Sequence, residues 1–261
     1  MPENSTDINR KEIVIKLEFP QLVNTALNPL ANAIGETLAS GWKGMTMGIE
    51  TWLGKKEIDK DINLKLYKES LETKLSKIDE NNLQEPAMNI LGPSLDASKF
   101  YFEEQQYREM FSNLIASTCD KSKNPYVHPA FVEFIKQMKP LDGKILNNLD
   151  VNQLFLINII DTSNNQRKRI GFMPPVINSF EASFHDFNTS MTNLNRLGLI
   201  ELPNLTSLIL PEKEIASIKN STLYKSIIGS ISKDLPDYYE TIIFSLELTD
   251  MGKDFIKVCI E

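Results

Sequence analysis

The sequence predicts a mainly α fold, α+β overall, in which an N-terminal helical domain is followed by a domain with a small antiparallel sheet. Three observations predict it. Between residues 83 and 146, apolar residues recur at three-and-four spacing between prolines, glycines and capping residues, the pattern of short helices packed as neighbours. Beyond residue 149 a β-branched run and a period-two alternation appear alongside one strong helix. The length of 261 residues with 41% hydrophobic side chains suffices for two cores. The expected divisions are a polar tail with a short strand over 1–20, a helical domain over 21–139, and the sheet-bearing domain over 140–261.

The chain is polar up to Arg10, after which Ile13, Ile15, Leu17 and Phe19 alternate as in a short strand that Pro20 ends. Residues 22–54 are rich in Ala, Gly, Asn and Met, with Trp42 and Trp52 towards the far end. Small residues at Ala31, Gly35, Gly44 and Gly48 permit close approach of another backbone, as in membrane helix pairs. Asn24, Asn28, Asn32, Glu36, Lys43 and Glu50 nevertheless interrupt the run of about 20 apolar residues that a bilayer needs. A close-packed helix outside the membrane is therefore expected. Residues 55–78 follow as a charged helix with an apolar seam of Ile58, Ile62, Leu66, Leu71, Leu75 and Ile78.

In the punctuated stretch, Pro86 suits a first helical turn, and Gly92 with Pro93 ends the short helix it begins. Ser94 is placed to cap a new one, in which Tyr107, Met110, Phe111, Leu114, Ile115 and Thr118 form a buried stripe. Glu103, Glu104, Arg108 and Glu109 fall off that stripe, with Glu104 and Arg108 spaced as a surface ion pair. After a polar break at 120–124, His128 stands at a cap position and Pro129 in a first turn, ahead of the apolar face Phe131, Phe134, Ile135 and Met138. Pro140 closes that helix, and Leu141, Ile145, Leu146 and Leu149 open another. The phrases LQEP, GPSLDASKFYFEEQQYREMFSNLIAS, VHPAFVEFIKQ and PLDGKIL resemble the core of the Abi-alpha family, chiefly over residues 31–149. These are bacterial proteins associated with abortive infection, the self-sacrificing defence against phage. The resemblance implies that biological role and carries no reaction or active-site residues with it.

In the second half, residues 154–160 (LFLINII) read as a buried strand, and 163–169 as a polar loop holding the basic triplet Arg167, Lys168 and Arg169. Phe180, Phe184, Phe187, Met191 and Leu194 trace one helix face, and Gly198 is placed for a left-handed stop with Leu199 folding back. Strands follow at 199–202 and 238–248, and a last helix, capped by Thr249 or Asp250, carries Met251, Phe255 and Cys259. A helix ending in LNRLGLIE, a hairpin and a closing helix begun by LTDMGKDF resemble a winged helix-turn-helix domain, with a helical insertion over 212–233.

The residues for chemistry are few. The chain has no glycine-rich phosphate loop, no paired histidines and no nucleophile elbow, so neither a cofactor nor a metal is expected. Glu103, Glu104 and Asp120 are the nearest approach to a metal-ligand set. Only His128 and His185 could act as a base near neutral pH, which leaves Cys119 with His128 as the one nucleophile and base pair worth testing. Arg167, Lys168, Arg169 and Arg196 are the candidate nucleic-acid contacts, but a triplet without flanking aromatics is a weak signal. The net charge is -7, with 17 Lys and Arg against 20 Asp and Glu to residue 140 and 11 against 15 beyond it. Neither half carries the basic field that a duplex demands. Two cysteines make no disulfide framework, and the first residues lack a signal-peptide core, so a cytoplasmic protein is expected. The favoured function is a non-enzymatic defence component that binds a host, phage or self protein. The alternatives are a winged-helix DNA-binding regulator and a membrane-associated effector using residues 22–54.

Overall fold

A computed structural model describes residues 29–53, 58–148, 155–161, 168–173, 182–202, 212–220, 222–231, 239–245 and 247–261. The described chain is mainly helical. Helix α1 (Pro29–Leu53) buries Ile34, Leu38, Trp42, Met45 and Ile49, spaced four, four, three and four apart, on one stripe. That stripe faces α3 (Met88–Ser98). The close approach is at Gly41, where a Cβ would stand 2.6 Å from Leu95 Cδ1; at Gly44 it would meet nothing within 4 Å. The small-residue spacing in the sequence thus marks the right helix and the wrong glycine. The expected strand at 13–19 lies outside the described residues.

Helix α2 (Ile58–Leu75) packs along α4 (Gln105–Thr118) through Leu64, Tyr67, Leu71 and Leu75, and the Tyr67 ring lies 5.2 Å from that of Trp42. The expected seam is corrected here, because Ile62 is 53% and Leu66 43% exposed. The step from 66 to 71 is five residues, too long for one helical face, so the expected seam joined two stripes.

Helix α3 also departs from the expected stop. It runs unbroken through Gly92 and Pro93, and Ser94 lies buried inside it rather than capping a new helix. Pro93 removes one bond, to the carbonyl of Asn89, and Asn89 is exposed where water can take its place. Burial of Ile90, Leu91, Leu95 and Ala97 offsets that loss. Pro86 stands outside the helix, ahead of the N-terminal Ala87.

Helix α4 is enclosed on nearly every side, with every residue from Met110 to Thr118 buried. Its end is fastened to the segment before α3: Gln84 N–H donates to Cys119 O at 2.9 Å, and Ala87 N–H donates to Thr118 Oγ1 at 2.8 Å. Helix α5 (Ala130–Gln137) has Pro129 at its N-cap, one residue later than expected, and the His128 Nδ1 ahead of it accepts the Ala130 N–H at 3.1 Å. Pro140 opens α6 (Pro140–Asn148).

Strands β1 (Phe155–Asp161), β2 (Lys168–Met173) and β4 (Tyr239–Ser245) form an antiparallel sheet in the order β2-β1-β4, with a register shift between Ile159 and Ile160. Helix α7 (Phe184–Arg196) is capped by Ser183, and Gly198 at φ 71° ends it in the left-handed region. Strand β3 (Ile200–Glu201) pairs with β5 (Glu247–Leu248), so the run expected as one strand over 238–248 serves two sheets. Helices α8 (Glu212–Asn220) and α9 (Thr222–Ile231) occupy the expected insertion. Helix α10 (Asp250–Phe255), capped by Thr249, continues into a π-helical turn at Ile256–Ile260.

One hydrophobic cluster takes in buried residues from Ile34 to Cys259, on both sides of residue 139. Phe255 of α10 meets Phe131 of α5 edge-on, with ring centroids 5.2 Å apart at 85°.

Candidate functional site

The densest buried polar chemistry lies where α4 meets the last helical turns. A helix leaves its final four carbonyls without partners inside itself. Here the carbonyls of residues 257 to 260 all accept from side chains elsewhere in the chain. Asn113 Nδ2 donates to Cys259 O at 3.0 Å and to Ile260 O at 3.1 Å, Ser117 Oγ to Val258 O at 3.1 Å, and Lys123 Nζ to Lys257 O at 3.1 Å. Lys257 in turn lies over the Tyr126 ring, 3.3 Å from its centroid. These contacts dock a helix end; they leave Asn113 and Ser117 facing main-chain oxygens rather than solvent.

Arg108 corrects the expectation of a surface pair with Glu104. It is 8% exposed, and its Nη1 donates to Asn63 Oδ1 at 3.1 Å, Phe102 O at 2.8 Å and Glu103 O at 2.7 Å. The guanidinium, with several donors in one plane, is suited to gather carbonyls in this way. It ties α2 to the turn before α4.

Asp142 is the third buried polar centre. Its Oδ2 accepts the Lys139 N–H at 2.9 Å, reaching back from the third helical residue to the residue before α6 as in a capping box, and the Asn193 amide at 2.8 Å. Asn193 also donates to Gln137 O at 2.9 Å, so α6 and α7 are held by the same pair of side chains.

The residues singled out from sequence are placed as follows. Cys119 is fully buried, and burial, with the nearby Asp120 charge adding to it, pushes its thiol up to about 12; burial raises the Cys259 thiol well above its usual value. His128 is exposed, and its Nδ1 is occupied by the Ala130 N–H. Asp120 accepts from the Ser122 N–H at 2.8 Å and the Ser122 hydroxyl at 2.7 Å, a local turn, while Glu103 and Glu104 are exposed. Among the described residues no three His, Cys, Asp or Glu side chains gather as a metal site. Arg196 donates to Gln137 Oε1 at 2.9 Å and to Asn193 Oδ1 at 2.8 Å, so its guanidinium is engaged at the α7–α5 junction. Lys168 and Arg169 stand in β2 rather than in a loop, and Arg167 lies outside the described residues. No described helix is long and apolar enough to cross a membrane.

The family model described as abortive infection alpha matches residues 59–259, from the second residue of α2 through α10 and the Val258 and Cys259 carbonyls that α4 holds. The chain belongs to the abortive infection alpha family. The match reaches well beyond the likeness visible over 31–149, so the sheet-bearing half is part of the family region too. Comparisons with curated proteins and with solved structures give no match. In this abortive infection alpha protein, Asn113, Ser117, Asp142 and Asn193 were missed from sequence. Polar residues inside an otherwise apolar helix, and an aspartate three residues after a helix start, are the signals that could have found them.

Thiol chemistry gives a direct check of the Cys119 environment. At pH 8 an aromatic disulfide reagent is expected to leave both cysteines of the native protein unlabelled over minutes and to label both in denaturant. Rapid labelling of Cys119 in the native protein would show a thiol open to chemistry.

Proposed function

We propose that this abortive infection alpha protein serves defence against phage as a non-enzymatic binding component, working in the cytoplasm on a host, phage or self protein. The observation that carries the reading is the family match over residues 59–259, since abortive infection is a defence in which the infected cell does not support the phage. What favours binding over catalysis is how the polar side chains are used. Arg108, Asn113, Ser117 and Asp142 take backbone groups as partners, and Cys119 is shielded from substrate by the core. The unit of α7, the β3–β5 pair and α10 is read as a winged-helix-like module used for docking. Its α7 gives Arg196 to Gln137 and Asn193 rather than to a phosphate.

The test is an affinity capture of the full chain from infected and uninfected bacteria, with nuclease treatment, followed by reconstitution with the purified partner. A protein that binds one-to-one in purified form, and whose removal abolishes protection in plaque assays, is the expected outcome. Turnover of nucleotide or nucleic acid by the pure protein, lost on a single substitution, would overturn the proposal.

A further inference from the structure

The junction of α6 and α7 opens on one side as a cleft of about 310 Å³. Its walls are apolar at Pro140, Leu141 and Ala182, and two lysines, Lys139 and Lys144, stand at its edge. Both lysines are exposed, and neither ammonium has a carboxylate partner among the described residues. Asp186 lines the same cleft and is held by the Ser183 hydroxyl through Oδ2 at 2.6 Å, which leaves its other oxygen as an acceptor. The deciding feature is Ser190, which lines the same cleft. It is 1% exposed, and its hydroxyl has no hydrogen-bond partner among the described residues. A hydroxyl withdrawn from water without a partner costs stability, and a helical serine usually escapes that cost by bonding back to its own helix. In α7 both Thr189 and Thr192 do so, to His185 O at 3.0 Å and Asn188 O at 2.9 Å, whereas Ser190 does not.

We propose that this cleft binds a small phosphorylated metabolite whose body carries a hydroxyl or amine donor. The two ammonium groups outnumber the one carboxylate and would take the phosphate, for which lysine is a suitable point charge. Ser190 would supply a hydrogen bond from the cleft wall, Asp186 would accept from the donor on the ligand body, and the apolar walls would cover the remainder. The α6 N-terminus does not take part, because Asp142 already accepts the Lys139 N–H there. The volume lies at the low end of ligand pockets, about 300–1,000 Å³, which suits a ligand of mononucleotide size or smaller. This inference is independent of the protein-partner reading.

Titration calorimetry on the full chain at low salt, with adenosine 5′-monophosphate and ribose 5-phosphate as probes, tests it. Adenosine and inorganic phosphate are the comparison arms. One-to-one binding of at least one organic phosphate is expected, weakened about tenfold or more in the double variant Lys139→Gln/Lys144→Gln. Both substitutions are at exposed positions and leave the Lys139 N–H bond to Asp142 in place. Ser190→Ala is expected to weaken binding several-fold while leaving the Tm of the free protein unchanged or raised, which a merely structural serine would not do. The proposal is overturned if neither organic phosphate binds at millimolar concentration, if the double variant binds as tightly as wild type, or if inorganic phosphate alone binds as tightly as the organic probes.

Discussion

Gly252→Ala is expected to lower the stability of the protein by about 3 kcal/mol, at the top of the usual range for overpacking. A Cβ at this position would stand 1.9 Å from Leu199 O and 2.8 Å from Leu199 C. Those are backbone atoms, so no side-chain rotation can make room. The surroundings have little freedom to shift. Gly198 is held at φ 71°, Thr249 Oγ1 donates to Gly198 O at 2.5 Å, Thr249 N–H donates to Leu199 O at 3.3 Å, and Gly252 N–H donates to Thr249 Oγ1 at 2.9 Å. Helix α10 would have to lift from the α7 turn, taking its cap with it. Urea unfolding measures the effect. Gly44→Ala provides the opposite control: it lies in α1 with open space where its Cβ would go, and is expected to stabilise by about 0.5–1 kcal/mol. A Gly252→Ala protein with an unchanged midpoint would mean that α10 does not rest against Leu199.

What was legible in the sequence was whatever depends on near neighbours. The left-handed Gly198 and the Thr249 cap follow from residue types a few positions apart, and each is found where it is expected; His128 takes a first-turn N–H of α5 from one residue ahead of the cap. The stripe of α4 was legible for the same reason, since Tyr107 to Thr118 repeat on one face. The failures share another cause. Pro93 is tolerated because the helix around it buries four apolar side chains against α1, α4 and α5, a tertiary gain that no local rule contains. Arg108 reads as a surface charge until the turn at Phe102 and Glu103 and Asn63 of α2 close around it. Asn113 and Ser117 find their partners more than 140 residues further along the chain, at a helix end whose open carbonyls no spacing could have paired with them. The cleft at Ser190 is of this kind as well, because Lys139 and Ser190 meet only when α6 and α7 are packed together.

Phe255→Ala is expected to cost about 3–5 kcal/mol, the range for emptying a buried aromatic site. That is a large share of the 5–15 kcal/mol by which ordinary domains are stable. Phe255 is fully buried and stands edge-on to Phe131 at 5.2 Å, with Phe134 at 6.4 Å, so truncation removes the contact that presses α10 onto α5. The consequence extends past α10, because the carbonyls that follow it are the ones held by Asn113 and Ser117 of the central α4. Loosening the last helix therefore exposes α4, against which α2 and α3 also pack. Both tryptophans, Trp42 and Trp52, belong to α1, so their fluorescence reports on the opposite end of the chain. If the shared cluster from Ile34 to Cys259 acts as one cooperative unit, fluorescence and far-UV circular dichroism will move together to a lower urea midpoint in a single transition. Phe255→Leu, which keeps most of the volume, is expected to cost under about 1.5 kcal/mol. A fluorescence midpoint left in place while the dichroism splits into two steps would show instead that the halves on either side of residue 139 unfold separately.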